Sequence, residues 1–185
     1  MSPLKRKLCC RLAICIIINI ANSTIIVSYD RMKNHTPDQI DKKMLAALQI
    51  DSSMSQRELA DKVGLSQNAC WRRLQVLNAQ GIITGSTIQL DRQKLGLGLV
   101  VFVMLRTRHH SAGWLKSFRN HVSTIPEVID FFRIGGDYDY MLKVVTEDMT
   151  SYDRVYQRLI SKVELDSVTS YFAMEAIEEQ RPLPL

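Results

Sequence analysis

Gln67, Asn68 and Arg72 fall within one six-residue stretch, and their side chains are those that read base edges in a DNA major groove. The amides of Gln and Asn pair bidentately with adenine, and a guanidinium pairs with guanine. Ser66, one residue earlier, joins them as a residue expected to reach base edges, Trp71 lies within the stretch, and Arg73 and Arg57 are cations suited to phosphates, which position a protein without specifying sequence. Trp71 fits either the sugar-phosphate backbone or the packing of its own domain. A second group is Gly135-Gly136-Asp137-Tyr138-Asp139-Tyr140. Two glycines allow backbone shapes closed to other residues, and exposed N–H groups there suit a carboxylate. Asp137 or Asp139 suits an α-ammonium, so the pairing fits a free amino acid. A plain hairpin turn, its aspartates satisfied by local backbone bonds, uses the same residues.

The first group needs a helix that leaves one side free. Thr36-Pro37-Asp38 opens a first helix, with Thr36 as expected N-cap and Pro37 at the first helical position. Ile40, Met44, Leu45 and Leu48 form its apolar stripe, and Asp51-Ser52-Ser53 ends it. Ser55 to Glu58 has the spacing of a capping box, followed by buried-face candidates Leu59, Ala60 and Val63. Gly64 suits a tight turn, and Ser66 caps a helix running to about Gln80 and stopped by Gly81. Cys70, Leu74 and Leu77 mark its inner side, which leaves Gln67, Asn68, Trp71, Arg72 and Gln75 outside. This is the helix-turn-helix order. Two β-prone runs flank Gly85-Ser86 between Ile82 and Leu90, which predicts a small hairpin or wing.

The second group needs a sheet. Leu97 to Leu105 reads as a buried strand, 112–123 as a helix broken by Pro126, and 128–134 and 138–146 as strands around the glycine turn. Tyr152, Val155, Tyr156, Leu159, Ile160 and Val163 mark an amphipathic helix over 151–162, and 168–175 reads as a last strand. The order β-α-β-β-α-β is the ferredoxin-like arrangement. The expected organisation is therefore α+β, an N-terminal winged helix-turn-helix over 36–90, a linker over 91–96, a ferredoxin-like domain over 97–178 and a tail over 179–185.

The formal charge of +5 is weak support for DNA binding, because residues 1–31 alone contribute +4. That segment places a basic cluster, Lys5-Arg6-Lys7, before an apolar run from Leu12 to Ile20. It reads as an atypical extension or tail ahead of a start at Met32, with a secretory leader or a short anchor as alternatives. The run is too short to cross a bilayer as a helix. Outside it the chain holds only Cys70, so no disulfide framework or metal-ligand spacing exists there and the cytoplasm is the expected compartment. Cys70 reads as a small buried hydrophobe. His109 and His110 are adjacent on a strand end and point opposite ways, which disfavours a shared metal. No catalytic constellation, cofactor loop or metal site emerges.

The motif order resembles the leucine-responsive/asparagine-regulator family of bacterial and archaeal transcription factors. The resemblance runs through Ile40-Asp41, Leu45-Ala46-Ala47-Leu48-Gln49, Glu58-Leu59-Ala60 and Val63-Gly64-Leu65-Ser66. It continues through Cys70-Trp71-Arg72-Arg73-Leu74, Leu77 to Ile83, and Gly136 to Tyr140 followed by Lys143. His109-His110-Ser111, Pro126-Glu127-Val128 and Phe172 to Glu175 are similar to a subgroup linked to cysteine detoxification. The family resemblance covers about residues 36–180. It implies a sequence-specific DNA-binding regulator of transcription that binds double-stranded DNA. It also implies a homodimer built through the second domain, a tetramer or octamer beyond that, and a small amino-acid effector bound between subunits. The other reading is an amino-acid-binding regulatory module whose winged helix contacts a protein partner.

Overall fold

Asp38, rather than Thr36, caps the first helix, α1 (Gln39–Ile50). Its carboxylate accepts from the backbone of Ile40 and Asp41 at 2.9 and 2.8 Å, while Asp41 reaches back to the Asp38 N–H at 3.1 Å. Thr36 and Pro37 therefore precede the helix, which starts only at Gln39. α2 (Gln56–Val63) starts at the expected box, in which Ser55 accepts from the Glu58 N–H and Glu58 from the Ser55 N–H. Gly64 ends it in the left-handed region, at φ +71° and ψ 36°, where a Cβ would be strained. α3 (Gln67–Ala79) begins at Ser66, whose hydroxyl accepts from Ala69 N–H. Met44, Ala47, Leu59, Ala60 and Cys70 bury together between these helices, with Leu74 packed against them.

The computed structural model describes residues 16–20, 23–27 and 36–185. The chain divides into two units, Met1–Thr87 with Arg181–Leu185, and Ile88–Gln180. In the first unit, β1 (Ile16–Ile20) and β2 (Ser23–Val27) also pair antiparallel. The leader, anchor and tail expectations for residues 1–31 otherwise lie outside the described residues. Among those described, no helix is long and apolar enough to cross a membrane. Near the chain end, the Gln49 side-chain amide brackets Leu183. It donates to the Leu183 carbonyl at 3.3 Å and accepts from the Leu183 N–H at 2.6 Å.

The expected wing strands are absent: residues 82–98 contain no strand. The N–H groups of Ile82 and Ile83 turn back to the Leu77 carbonyl. The first β-prone run is thus spent on closing α3, and an isolated two-stranded ribbon is marginal in any case.

The second unit contains β3 (Leu99–Arg106), α4 (Ala112–Val122), β4 (Val128–Arg133), β5 (Tyr140–Thr146), α5 (Met149–Ile160) and β6 (Ser167–Phe172). The sheet order is β4-β5-β3-β6, antiparallel throughout, with Val103 opposite Leu142 on one side and Ser170 on the other. One face is sealed. Val101, Val103, Leu105, Leu142 and Val144 bury against Phe118 and Val122 of α4 and Val155 and Leu159 of α5. Each such side chain contributes about 1.5–3 kcal/mol. Phe118 stacks on Trp114 and meets Phe131 and Tyr140 edge-on. The other face carries Phe102, Met104, Phe132, Met141 and Tyr171, none of them buried.

The stretch expected as a loose linker, 91–96, is a hydrogen-bonded turn in this unit. Asp91 caps it through Gln93 and Lys94, and Leu97 N–H closes it onto the Arg92 carbonyl.

Candidate nucleic-acid interface and effector turn

The burial of α3 splits along its length as its periodicity requires. Cys70 and Leu77 are fully buried and Leu74 half-buried, whereas Gln67, Asn68, Trp71, Arg72 and Gln75 are exposed. Residues spaced four apart share a helix face, so these five form one continuous outward strip. Trp71 remains 47% exposed, well outside the domain's core. Ser66 presents the first turn of the helix, and Arg57 is exposed on α2. Arg72 makes no ion pair among the described residues and so keeps its guanidinium available.

Arg73 does something else. Expected as a phosphate contact, it instead places one Nη1 at 2.8 Å from both Asp38 and Asp41. Asp41 is wholly buried, and a buried carboxylate requires a partner. Arg73 supplies it and thereby fastens α3 to the cap of α1. Hydrogen bonds from the Asp41 backbone, then from Arg73, hold the Asp38 carboxyl below its ordinary value, while Asp41 and then Asp38 hold the guanidinium above its own. Sequence reading missed Asp41 as a buried charge; its spacing from Asp38 was the available signal. Cys70 is buried, which pushes its thiol up, away from the reactive thiolate.

The Gly135–Tyr140 turn joins β4 to β5 at the end of the sheet where β3 finishes. Gly136 has φ +125°, a conformation reserved for glycine. Gly135, Gly136 and Asp137 are exposed, and the Asp137 carboxylate makes no ion pair or hydrogen bond among the described residues. The Asp137 carbonyl instead accepts from the Arg106 guanidinium at 2.8 and 2.5 Å. Asp139 is committed to structure: one carboxylate oxygen accepts from the Thr107 N–H at 2.8 Å. Tyr138 is half-buried, its hydroxyl 3.5 Å from Thr169 and its ring 5.8 Å from the Arg106 guanidinium carbon. Hydrogen bonds to Thr169 and then Tyr171 hold its phenol below the usual value. Tyr140, expected alongside them, turns inward: it is 3% exposed and packs on Phe118 and Phe131. Strand alternation accounts for this, because Tyr140 shares the inward face with Leu142 and Val144. His109 lies 3.4 Å from Glu164 and beside Trp114, and His110 is exposed.

Residues 37–84 match the family model of a winged helix-turn-helix DNA-binding domain, and residues 100–183 match that of the Lrp/AsnC ligand binding domain. The glutamate uptake regulatory protein of Zymomonas mobilis is 45% identical over 148 residues, 80% of this chain and 90% of the relative. The DNA-binding transcriptional activator DecR of Escherichia coli is 45% identical over 149 residues, 80% of this chain and 98% of the relative. Among solved structures, an AsnC family transcriptional regulator from Agrobacterium tumefaciens is 46% identical with a TM-score of 0.77, covering 80% of this chain and 96% of its own. A Neisseria meningitidis transcriptional regulator solved in complex with L-methionine is 30% identical with a TM-score of 0.75, covering 80% and 97%. The two matches set a winged helix-turn-helix ahead of an Lrp/AsnC ligand binding domain in one chain. The chain belongs to the Lrp/AsnC family of DNA-binding transcriptional regulators.

Proposed function

We propose that α3 lies in the major groove, with Gln67, Asn68 and Arg72 on base edges and Arg57, Ser66 and Trp71 on the sugar-phosphate backbone. The observation that carries this reading is the unbroken exposed strip of α3 backed by a buried stripe. Arg73 is left out of the set because it is already bound to Asp38 and Asp41. The regulator acts in the cytoplasm as a homo-oligomer and catalyses no reaction. Its self-association uses the open sheet face of Phe102, Met104, Phe132, Met141 and Tyr171, an apolar surface of the kind that marks an interface. A two-fold dimer presents two α3 helices to successive major grooves.

A small amino acid bound at Gly135, Gly136, Asp137, Tyr138 and Asp139 shifts the assembly. Asp137 is the side chain there with its carboxylate free for an ammonium. L-cysteine and L-glutamate are the first to test, one from the resemblance of residues such as His109-His110-Ser111, the other from the name of the Zymomonas relative.

Fluorescence anisotropy on duplex DNA from the region upstream of its own gene tests the DNA reading. Arg72→Ala is expected to cost about 1–3 kcal/mol and relax preference at one base pair, whereas Arg57→Ala weakens all sequences alike and lowers the salt slope by about 1. Weak, sequence-indifferent binding at physiological salt overturns this reading in favour of a winged helix that contacts a protein.

A further inference from the structure

A second cleft lies at the opposite end of the sheet from the Gly135–Tyr140 turn. It holds about 840 Å³ and is built wholly within the second unit, between the 90–97 turn, the entry to β4, the end of β5 and the irregular segment after β6. Two half-buried cations converge in it on one carboxylate: Arg92 Nε at 2.9 Å and Lys143 Nζ at 2.8 Å from the two oxygens of Glu179.

The cations are the fixed partners. Lys143 stands in the middle of β5, and Arg92 is clamped through Nη1 to the carbonyls of Leu97 and Gly98 at 3.2 and 3.0 Å. Glu179 arrives instead on residues 173–180, which form no helix or strand. Lys143 and then Arg92 hold its carboxyl below the ordinary glutamate value, so it is an anion at neutral pH. The pre-built element is therefore a carboxylate receptor, filled here by a carboxylate from the irregular segment that follows β6.

The same cleft carries a complementary group. Glu127 binds Arg158 through Oε1, whereas its Oε2 is buried and accepts no hydrogen bond among the described residues. A buried carboxylate oxygen without a donor costs free energy. The Glu127 carbonyl receives the Val145 N–H. That sets Glu127 beside Val145, two β5 positions along and one strand spacing across from Lys143, about 8 Å between backbones, a span that two long side chains close. Leu95, Leu97, Ile129 and Val145 supply apolar wall.

We propose that this cleft is a second, intraprotomer site for a free α-amino acid with an apolar side chain. The ligand's carboxylate replaces that of Glu179 between Arg92 and Lys143, its ammonium meets Glu127 Oε2, and residues 173–180 are released. Glu179 is thus a built-in competitor. Binding is governed by the fraction of molecules in which it has swung out, which lowers apparent affinity by that fraction.

Calorimetric titration of the assembled full-length protein with L-leucine tests this, with L-leucinamide, which lacks the carboxylate, as control. Glu179→Gln removes the competitor and is expected to tighten L-leucine roughly tenfold. Lys143→Met is expected to abolish the same binding, with a circular dichroism spectrum unchanged from the parent. L-leucinamide is expected not to bind. Hydrogen exchange of the 173–180 peptide is expected to speed up on adding L-leucine to the parent protein. Asp137→Ala removes only what L-leucine binds at the Gly135–Tyr140 turn and is expected to leave the L-leucine-dependent speeding of 173–180 exchange in place, which separates this cleft from that turn. Absence of L-leucine binding to the Glu179→Gln protein overturns the proposal, as does weaker or unchanged binding. So does L-leucine binding that leaves 173–180 exchange unaltered, or whose effect on that exchange is lost with Asp137→Ala.

Discussion

The two units use ion pairs in opposite ways. In the DNA-reading unit, Arg73 ties two residues of one helix cap, Asp38 and Asp41, to the next helix but one, and one of those carboxylates is wholly buried. The pair joins regular elements, and the side chains proposed to read bases around it make no ion pair among the described residues. In the second unit, half-buried Arg92 and Lys143 meet on Glu179, and Arg108 meets Asp166, each contact with at least one partner outside helices and strands. One arrangement ties regular elements together; the other fastens segments that lie outside them. Burial decides which, because removing the partner of a buried charge leaves it stranded, whereas a surface ion pair is exchanged for water at little cost.

The largest test of that contrast is Arg73→Ala. It takes the Arg73 guanidinium away from the buried Asp41, and a loss of up to about 3 kcal/mol is expected in urea denaturation of the first unit. A loss below about 1 kcal/mol would erase the distinction. Gly64→Ala comes next. The φ of +71° at the α2–α3 turn sets an expected loss of about 1 kcal/mol, read as a lower melting temperature with weakened DNA binding. Arg92→Ala ranks below it, at no more than about 1 kcal/mol, because surface pairs contribute little; a collapse of the second unit would show that the clasp is structural. The smallest effect is on acidification. Asp38 and Glu179 both sit below their ordinary values of 3.8 and 4.5 when folded. Their contributions are complete above those ordinary values and fade as pH falls through the depressed ones. A melting-temperature scan from pH 7 to 3 is expected to stay flat in its upper half and descend in its lower half.

Local chemistry was legible in the sequence. The Ser55–Glu58 box, the Gly64 turn, the outward strip of α3 and the β-α-β-β-α-β order all depend on neighbours three or four residues apart, or on strand alternation. What escaped needed partners distant in sequence. Arg73 looked like a phosphate ligand because Asp41 lies 32 residues earlier, and Arg92 looked like linker because Glu179 lies 87 residues later. Tyr140 was grouped with its neighbours in the turn, although period-two alternation placed its ring inside. The two strands expected between Ile82 and Leu90 are missing for a different reason: β-propensity at Ile82 and Ile83 lost to the hydrogen bonds that finish α3.

The grip of Gln49 on Leu183 has a practical side. Any affinity tag or fluorescent fusion joined after Leu185 starts two residues from a backbone group that the DNA-reading unit already holds. Such a label pulls on α1 directly, so a tagged preparation that melts early or binds its operator poorly reports on the label's attachment point before it reports on the regulator.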